Sequence, residues 1–324
     1  MSEQLQSDFE KIFKTSKISE EETQLKKDFL NKFIENGFPN RKQEDWKFLD
    51  ISQIIKKNIS DLSFFNDYSQ PNKIDSSTFV DGLEHNKIIF VNGKIEKIDF
   101  NYEDQNKIEI SDEIKRDISF DYENSLIDLN NAFTHKVFKI LVKKNYSLKK
   151  PLIIYHSTND KVKSTNVNLR LDFELGENSC LRLIDFFTDN KAKNFINIFY
   201  NFILEKDSIL KNYKIDKFRN DNLKYSFNNI EQGNNSVSET FILSAGSDYF
   251  KNEINCNLNG EYSSAFINGV FSLKENQQHE IRTAINHLVE NTKSYQLIKS
   301  VLGKDSKSAY QGRIFVNSKA QKTD

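Results

Sequence analysis

The second half of the chain is a series of short β-strand patterns at nearly constant spacing, and this regularity restricts the fold more than any other feature. From about residue 165 apolar and polar residues alternate, as in Val167–Leu175 and Phe250–Leu258. A period of two places one face of each strand in a core and the other in solvent. The segments are about 14 residues apart and begin near residues 167, 180, 195, 209, 223, 237, 250, 265, 279, 295 and 309.

Such even spacing favours a stacked array of strands over an irregular sheet. Turn-forming residues separate the segments, for example at 176–179, 232–236 and 275–278. Two strands per coil would give about 28 residues per turn, which is typical of a parallel β-helix. A long β-meander sandwich fits the same pattern, and periodicity alone leaves both open.

The last strand pattern, Ala309–Val316, is followed only by residues 317–324. A stacked β array that ended there would expose unpaired backbone groups at its edge, which proteins normally cover. We therefore expect either that a partner covers this edge or that the chain lacks its C-terminal part.

The first part of the chain is predicted to be helical. Ser7–Glu10 and Ser19–Glu22 have the spacing of capping boxes. Apolar residues at 25, 29 and 33 form one stripe of an amphipathic helix, which Gly37 should end. A second helical piece is expected around Glu44–Lys57.

The middle of the chain is mixed. Residues 61–80 are polar and predicted to be a loop, and Ile88–Ile98 has the pattern of a β-hairpin with an Asn-Gly turn. A short helix is expected at Leu126–Phe133 and a strand at Val137–Val142. We divide the chain into a helical region (1–60), a mixed region (61–135) and a β core (136–324).

Composition and charge exclude several classes of protein. The 324 residues carry 46 Lys and Arg against 47 Asp and Glu, which argues against a polycationic nucleic-acid binder. No apolar run is long enough for a membrane span, and the N-terminus lacks a signal peptide. Cys180 and Cys256 form no C-x-x-C pair. These features predict a soluble protein of a reducing cytoplasm.

Sequence motifs for common chemistry are absent. The chain has no P-loop and no G-x-G-x-x-G, H-E-x-x-H or G-x-S-x-G. Asp172 and Asp185, near Arg170 and Arg182, could serve a β-helix enzyme that cleaves polysaccharide, but such charges usually form a solvated face. Residues 293–324 are modestly basic and could dock an acidic partner, but they do not show the interleaved basic and aromatic pattern of an RNA-binding surface.

The histidines and cysteines give no clear metal site. His279 and His287 share a strand face, but eight strand residues span about 26 Å, too far for one metal ion. We expect both to be structural and hydrogen-bonded. Cys256 shares a face with Ile254 and Leu258 and is expected to be a small buried hydrophobe.

Two stretches resemble the SufB/SufD family of the SUF iron–sulfur cluster assembly machinery. Phe38–Ile51, which contains P-N-R-K-Q-E-D-W-K, is similar to the entry segment of the family's SufD members. The run from Leu258 to Asp324 follows the family core, with L-N-G, His279, His287, S-Y-Q, G-R-I-F-V and A-Q-K-T-D in order. The Trp46 motif favours the SufD members over the SufB members, as does the lack of a cysteine-rich core.

The resemblance implies helices, then a right-handed parallel β-helix, then a C-terminal helical segment that is missing here. It implies a non-catalytic scaffold that pairs with a SufB-like paralogue and is coupled to a SufC-like ABC-type ATPase. The SufC-binding segment would lie in the missing part. The scaffold would support iron acquisition and the assembly of a cluster built mainly on SufB, with no cofactor assigned to this chain.

The expected partner interface is the last strand, at Tyr310, Gly312, Ile314 and Val316. Neither nucleic acid nor a membrane is expected as a partner. Two other functions remain open, a polysaccharide lyase or hydrolase and a standalone interaction solenoid, although the missing export signal counts against both.

Overall fold

The computed structural model describes residues 2–15, 18–59, 61–66, 73–77, 79–113, 124–159, 162–188, 193–217 and 220–324. The helices are α1 (Ser2–Thr15), α2 (Glu20–Asn36), α3 (Ile51–Asn58) and α4 (Ser125–Phe133), with a 3-10 turn at Glu44–Trp46. The first strands are β1 (Asn86–Val91), β2 (Lys94–Asp99), β3 (Ile108–Glu113), β4 (Val137–Val142) and β5 (Leu152–Ser157). The remaining strands are β6 (Asn166–Leu175), β7 (Cys180–Phe187), β8 (Phe195–Leu204), β9 (Ile209–Asp216), β10 (Asn220–Gln232), β11 (Val237–Ser244), β12 (Ser247–Leu258), β13 (Ser264–Leu273), β14 (Gln278–His287), β15 (Lys293–Leu302) and β16 (Lys307–Val316).

The strands form a parallel β-solenoid with two sheets of eight strands each. Sheet 1 has the order β15-β13-β11-β9-β7-β5-β1-β2, and sheet 2 has the order β16-β14-β12-β10-β8-β6-β4-β3. The chain alternates between the sheets, so that one strand from each makes a turn of the solenoid, here called a rung. Phe195 pairs with Leu223 and Val237 with Ser264, so a rung takes about 28 residues. Of the two folds that the sequence left open, the structure confirms the parallel β-helix and not the β-meander sandwich. The predicted segments begin within a few residues of the observed strands.

Asn and Asp residues shape the turns between rungs. Asn178, Asp207, Asn235 and Asn291 all have φ between 55° and 60°. This left-handed conformation strains most side chains but is tolerated by Asn and Asp. The repeated turn therefore explains why Asn or Asp stands at these positions.

The two sheets enclose a core of inward-facing side chains. Leu171 and Phe173 of β6 and Leu181 and Leu183 of β7 are among the buried residues that fill it. The first rungs are closed by two antiparallel strands, β2 on β1 and β3 on β4. The predicted hairpin is confirmed, since Asn92 and Gly93 at its turn both have positive φ.

The helices pack on the outer face of sheet 2. Phe33, Trp46 and Phe133 share a buried cluster with Phe199 and Tyr225, which point outward from β8 and β10. The inward neighbours Tyr200 and Ile198 belong to the solenoid interior. The outer face of these strands is thus also a core, which explains why β8 is buried on both faces.

Two details of the helical prediction are corrected. Ser19 does cap α2, since its side chain accepts a hydrogen bond from the Glu22 amide, and Gly37 ends that helix with φ of 66°. Ser7, in contrast, lies inside α1 and begins no helix. The expected helix at Glu44–Lys57 is interrupted, because Asp50 caps a separate α3.

The other expected elements of the middle region are present. Strand β4 spans the predicted residues, and α4 begins one residue before the predicted helix. In the described parts of the 61–80 loop, Ser63 forms a single parallel bridge with Thr165. Within the part of the chain that the structure describes, no helix has the length and apolar character needed to cross a membrane.

Candidate partner interface

The last rung of the solenoid in the described part of the chain is made of β15 and β16 and is here called the end rung. β15 pairs only with β13 and β16 only with β14 among the described strands. The other edge of each strand therefore carries backbone N–H and C=O groups with no neighbouring strand in the described part of the chain. Such an edge can accept a further strand from another protein.

The four residues predicted as the interface lie together on the end rung. Tyr310, Gly312, Ile314 and Val316 occupy alternate positions of β16. They pair in register with residues 281, 283, 285 and 287 of β14, which face the solenoid interior. Their side chains therefore extend by one rung the stack of inward-facing side chains, here called the interior column. No further strand of the described chain covers this rung.

The interior side chains of the end rung are exposed. Tyr310 is 41%, Val316 49% and Ile314 57% exposed. On the outer faces of the same strands, Val301 and Phe315 are exposed as well. A cluster of large apolar side chains at an unpaired sheet edge is unusual for a free surface and typical of an interface.

Tyr310 is held across the opening by hydrogen bonds. Its hydroxyl donates to Gln296 Oε1 at 2.7 Å, and the same oxygen accepts a short hydrogen bond from Thr283. Gly312 makes this position possible, because a Cβ there would lie 2.7 Å from the Tyr310 hydroxyl oxygen. The absence of a side chain at Gly312 thus shapes the surface offered to a partner.

The C-terminal sequence motifs meet near the same rung. His287 is buried, with Nδ1 2.6 Å from Thr292 Oγ1 and Nε2 3.0 Å from Ser294 Oγ. The backbone of Asp324 bonds to Ser294 and Thr292, at 2.7 and 3.0 Å. The A-Q-K-T-D segment therefore folds back on the β14–β15 turn, and the turn fixes His287.

The N-terminal motif lies against the neighbouring rungs. The Trp46 ring packs on Tyr225 with 5.4 Å between ring centroids, and Lys251 Nζ lies 4.3 Å from the Trp46 centroid. Lys251 also donates to the Asp45 carbonyl at 2.5 Å, and Arg282 pairs with the Asp45 carboxylate at 2.5 Å. Both motifs noted in the sequence are thus placed on the outer face or the end of the solenoid.

Comparison with known proteins gives the family. Residues 155–324 match the SUF system FeS cluster assembly, SufBD core domain. The chain belongs to the SufBD core family. It is also similar to the iron-sulfur cluster assembly protein SufD of Escherichia coli (strain K12), with 24% identity over 312 residues that cover 91% of this chain and 70% of that protein. Membership supports a role in iron–sulfur cluster assembly, and the resemblance to SufD members is confirmed.

The SufBD core of this chain encloses a buried ionic group that the sequence pattern does not reveal. Asp185 of β7 accepts hydrogen bonds from His156 Nε2 at 2.6 Å, from the Tyr200 hydroxyl at 2.6 Å and from Lys214 Nζ at 2.8 Å. Burial alone would raise the pKa of Asp185, but the charges of Lys214 and His156 and their hydrogen bonds bring it below its usual value. The expectation that Asp185 lies on a solvated face was wrong.

A second ionic pair lies farther along the SufBD core. Asp216 accepts from Lys224 Nζ at 2.8 Å and from the Ser247 hydroxyl at 2.7 Å. Burial lowers the pKa of Lys224, and the Asp216 charge opposes that change. The alternation of apolar and polar residues did not predict these groups. Each is a single polar residue at an inward position of its strand, and the pattern does not show that such residues meet.

The carboxylates considered for a polysaccharide enzyme are not brought together. Asp172 lies on the outer face of sheet 2, where Arg170 donates to both of its oxygens at 3.0 and 3.1 Å. Asp185 lies inside the solenoid on sheet 1. Arg182 bonds instead to the carbonyls of Leu148 and Lys149. This arrangement does not support a pair of catalytic carboxylates.

His279 and Cys256 are buried within the SufBD core. His279 is bonded through Nδ1 to Ser244 Oγ at 2.7 Å and through Nε2 to the Ser247 carbonyl at 2.6 Å. Burial lowers the pKa of His279 and raises that of Cys256 to about 12. Cys180 is half-buried. Among the described residues, no three or more His, Cys, Asp or Glu side chains are grouped so that they could hold a metal ion.

Proposed function

We propose that this chain is a non-catalytic scaffold subunit of a SUF iron–sulfur cluster assembly complex and pairs with a SufB-like paralogue through its end rung. The observation that carries the proposal is the exposed interior column at Tyr310, Ile314 and Val316 beside an unpaired sheet edge. A partner solenoid would extend the sheet and bury the column in one step. The family match supplies the assembly context.

The pairing also sets the chain's relation to the rest of the complex. A SufC-like ATPase would drive the pair, and this chain would support cluster assembly and iron acquisition without forming the cluster itself. The unpaired sheet edge together with the exposed apolar column favours a permanent interface, since backbone hydrogen bonds to a partner would give affinity and the buried side chains would give register. The proposed setting is the cytoplasm.

The experiment is co-purification of the tagged chain with SufB-like and SufC-like proteins from the same source. We expect capture of the SufB-like protein by the chain, and of the SufC-like protein when the SufB-like protein is present. If the reading frame continues past Asp324, the longer gene product is tested in parallel. Failure of both forms to capture the SufB-like protein would contradict the proposal.

A matched pair of variants tests the interface itself. Ile314→Asp places a charge in the exposed interior column and should reduce capture at least tenfold. Ile203→Asp is the control, because Ile203 is also exposed, at 41%, but lies on the outer face of β8, far from the end rung. Equal loss of capture in both variants would show that the end rung is not the interface.

A further inference from the structure

A small cavity lies inside the solenoid near its first rungs, apart from the end rung. Its volume is about 30 Å³, and its polar lining includes His156, Thr158, Thr188 and Lys224. The rest of the lining is mostly apolar, from residues such as Val167. A cavity of this size takes one or two atoms of the size of a water oxygen, and no organic molecule.

His156 faces this cavity in a fixed orientation. Its ring lies between Phe90 and Phe187, with ring centroids 5.7 and 4.8 Å away. Its Nε2 lies 2.6 Å from Asp185 Oδ1, and an ionised carboxylate only accepts, so Nε2 carries a proton. The other ring nitrogen, Nδ1, makes no hydrogen bond to any residue that the structure describes. Nδ1 is therefore the ring nitrogen that remains for a ligand in the cavity.

Lys224 supplies a second polar group to the same cavity. Its Nζ donates to Asp216 Oδ1 at 2.8 Å and lies 4.0 Å from the centroid of the Phe187 ring. An ammonium group has three donors, and the bond to Asp216 uses one of them. The hydroxyl of Thr158 is buried and has no hydrogen-bond partner within the described ranges of the chain. The cavity thus offers unused donors to a ligand that accepts.

The charges around His156 indicate the charge of that ligand. Among the residues that the structure describes, the ionisable groups of this hydrogen-bonded cluster are Asp185, Lys214, Asp216 and Lys224, together with the Tyr200 hydroxyl. Their two carboxylates balance their two ammonium groups. A proton on Nδ1 would add one positive charge, and a buried charge needs a counter-charge. One monovalent anion would bring the net charge of the cluster back to zero, whereas a dianion would leave one excess negative charge.

We propose that the cavity binds a monovalent anion of the size of chloride or hydrosulfide, held between the His156 imidazolium and the Lys224 ammonium group. The apolar walls favour a weakly hydrated anion, since a strongly hydrated one loses more on leaving water. The proposal is independent of the end rung and of the scaffold function, and it stands or falls by different measurements.

The first test uses the whole chain, labelled with ¹⁵N, and follows the histidine rings by NMR while chloride replaces gluconate at constant ionic strength. We expect a saturable change at His156 and none at His279. A change that does not saturate, or an equal change at His279, would overturn the proposal.

A matched pair of valine variants tests the location. Val167→Ile adds one methylene group to the lining and should weaken chloride binding at least tenfold. Val142→Ile makes the same change in an equally buried residue of the same core that does not line the cavity. It should alter binding less than twofold. Equal effects of the two variants would refute the site.

Bromide and hydrosulfide complete the test. In crystals of the wild-type chain soaked in bromide, an anomalous peak should lie within hydrogen-bond distance of Lys224 Nζ and His156 Nδ1. This measurement does not depend on how a variant folds. Anaerobic titration with hydrosulfide then shows which anion binds more tightly. A water molecule in place of bromide, together with no response to either anion, would sink the inference.

Discussion

Ile314 is the register partner of Ile285 on the next strand of sheet 2, yet Ile285 is fully buried while Ile314 is 57% exposed. Ile285→Ala should therefore lower the free energy of unfolding by about 2–5 kcal/mol, as for other large-to-small core changes. Ile314→Ala should cost less than about 1 kcal/mol, because little apolar contact is lost. Urea unfolding of the two variants measures the difference, and similar costs would mean that the end rung is covered in solution.

The buried pair of Lys214 and Asp185 should dominate the electrostatic contribution to stability. Lys214→Met should destabilise the protein by about 3–5 kcal/mol, because it leaves Asp185 buried with fewer partners. Lys211→Met is the control, on the same strand β9, because its pair with Glu239 at 3.2 Å is exposed to solvent and should contribute much less to stability. Chemical unfolding at pH 7 measures the loss of unfolding free energy in the two variants, and equal losses would contradict the prediction.

The same pair gives a pH dependence of defined sign. The pKa of Asp185 is lower in the folded state than its ordinary value of 3.8. Its contribution to stability is therefore present above 3.8 and is lost as the pH falls toward the folded-state pKa. The difference in the free energy of unfolding between wild type and Lys214→Met should become smaller as the pH is lowered below 3.8. A difference that widened in acid would contradict this assignment.

Asp128 of α4 should have the opposite pH dependence. Burial raises its pKa from 3.8 to about 6, although Lys32 opposes the change. A raised folded-state pKa means that this carboxyl reduces stability as the pH rises through that range. Asp128→Asn should stabilise the protein by about 1–3 kcal/mol at pH 8 and give little gain below pH 4. The exposed Asp81→Asn is the control in the same melting series, and equal gains from both would argue against burial as the cause.

Gly312→Ala should displace the Tyr310 side chain. The new Cβ would lie 2.7 Å from the Tyr310 hydroxyl, so the hydroxyl must shift, which disturbs its hydrogen bond to Gln296. We expect an altered near-ultraviolet tyrosine signal and weaker capture of the SufB-like protein. Adding Tyr310→Phe removes the closest atom and should reduce the additional effect of the alanine. If the alanine has the same effect with and without the hydroxyl, the two residues are not coupled.

The two cysteines should differ in reactivity. Cys256 is fully buried, and its pKa is raised to about 12, so it should not react with a thiol reagent in the folded protein at pH 8. Cys180 is half-buried, and burial raises its pKa as well, so it should react slowly. A spectrophotometric thiol assay should count one slow thiol before unfolding and two after. Rapid reaction of both would place Cys256 at the surface.

Local patterns predicted the repeated elements well. The alternation in Val167–Leu175 and the Asn-Gly turn at Asn92 depend on neighbouring residues, and both appear as expected. The helix predicted around Glu44–Lys57 is present only in part, as a 3-10 turn at Glu44–Trp46 and a separate helix from Ile51. Between them, Asp50 caps the second helix, and the Trp46 ring packs on Tyr225. That contact joins residues far apart in sequence, which a local pattern does not contain.

The sequence by itself determined the strand period, the rung length, the turn residues and the family, because each is written in consecutive residues or motifs. The tertiary structure alone decided that Asp185 meets His156 and Lys214 inside the solenoid, and that Ile314 is left open while Ile285 is closed. Stacking brings residues about one rung apart into contact. The sequence pattern predicts whether a side chain points inward or outward, but the stacking of the rungs determines which residues it contacts.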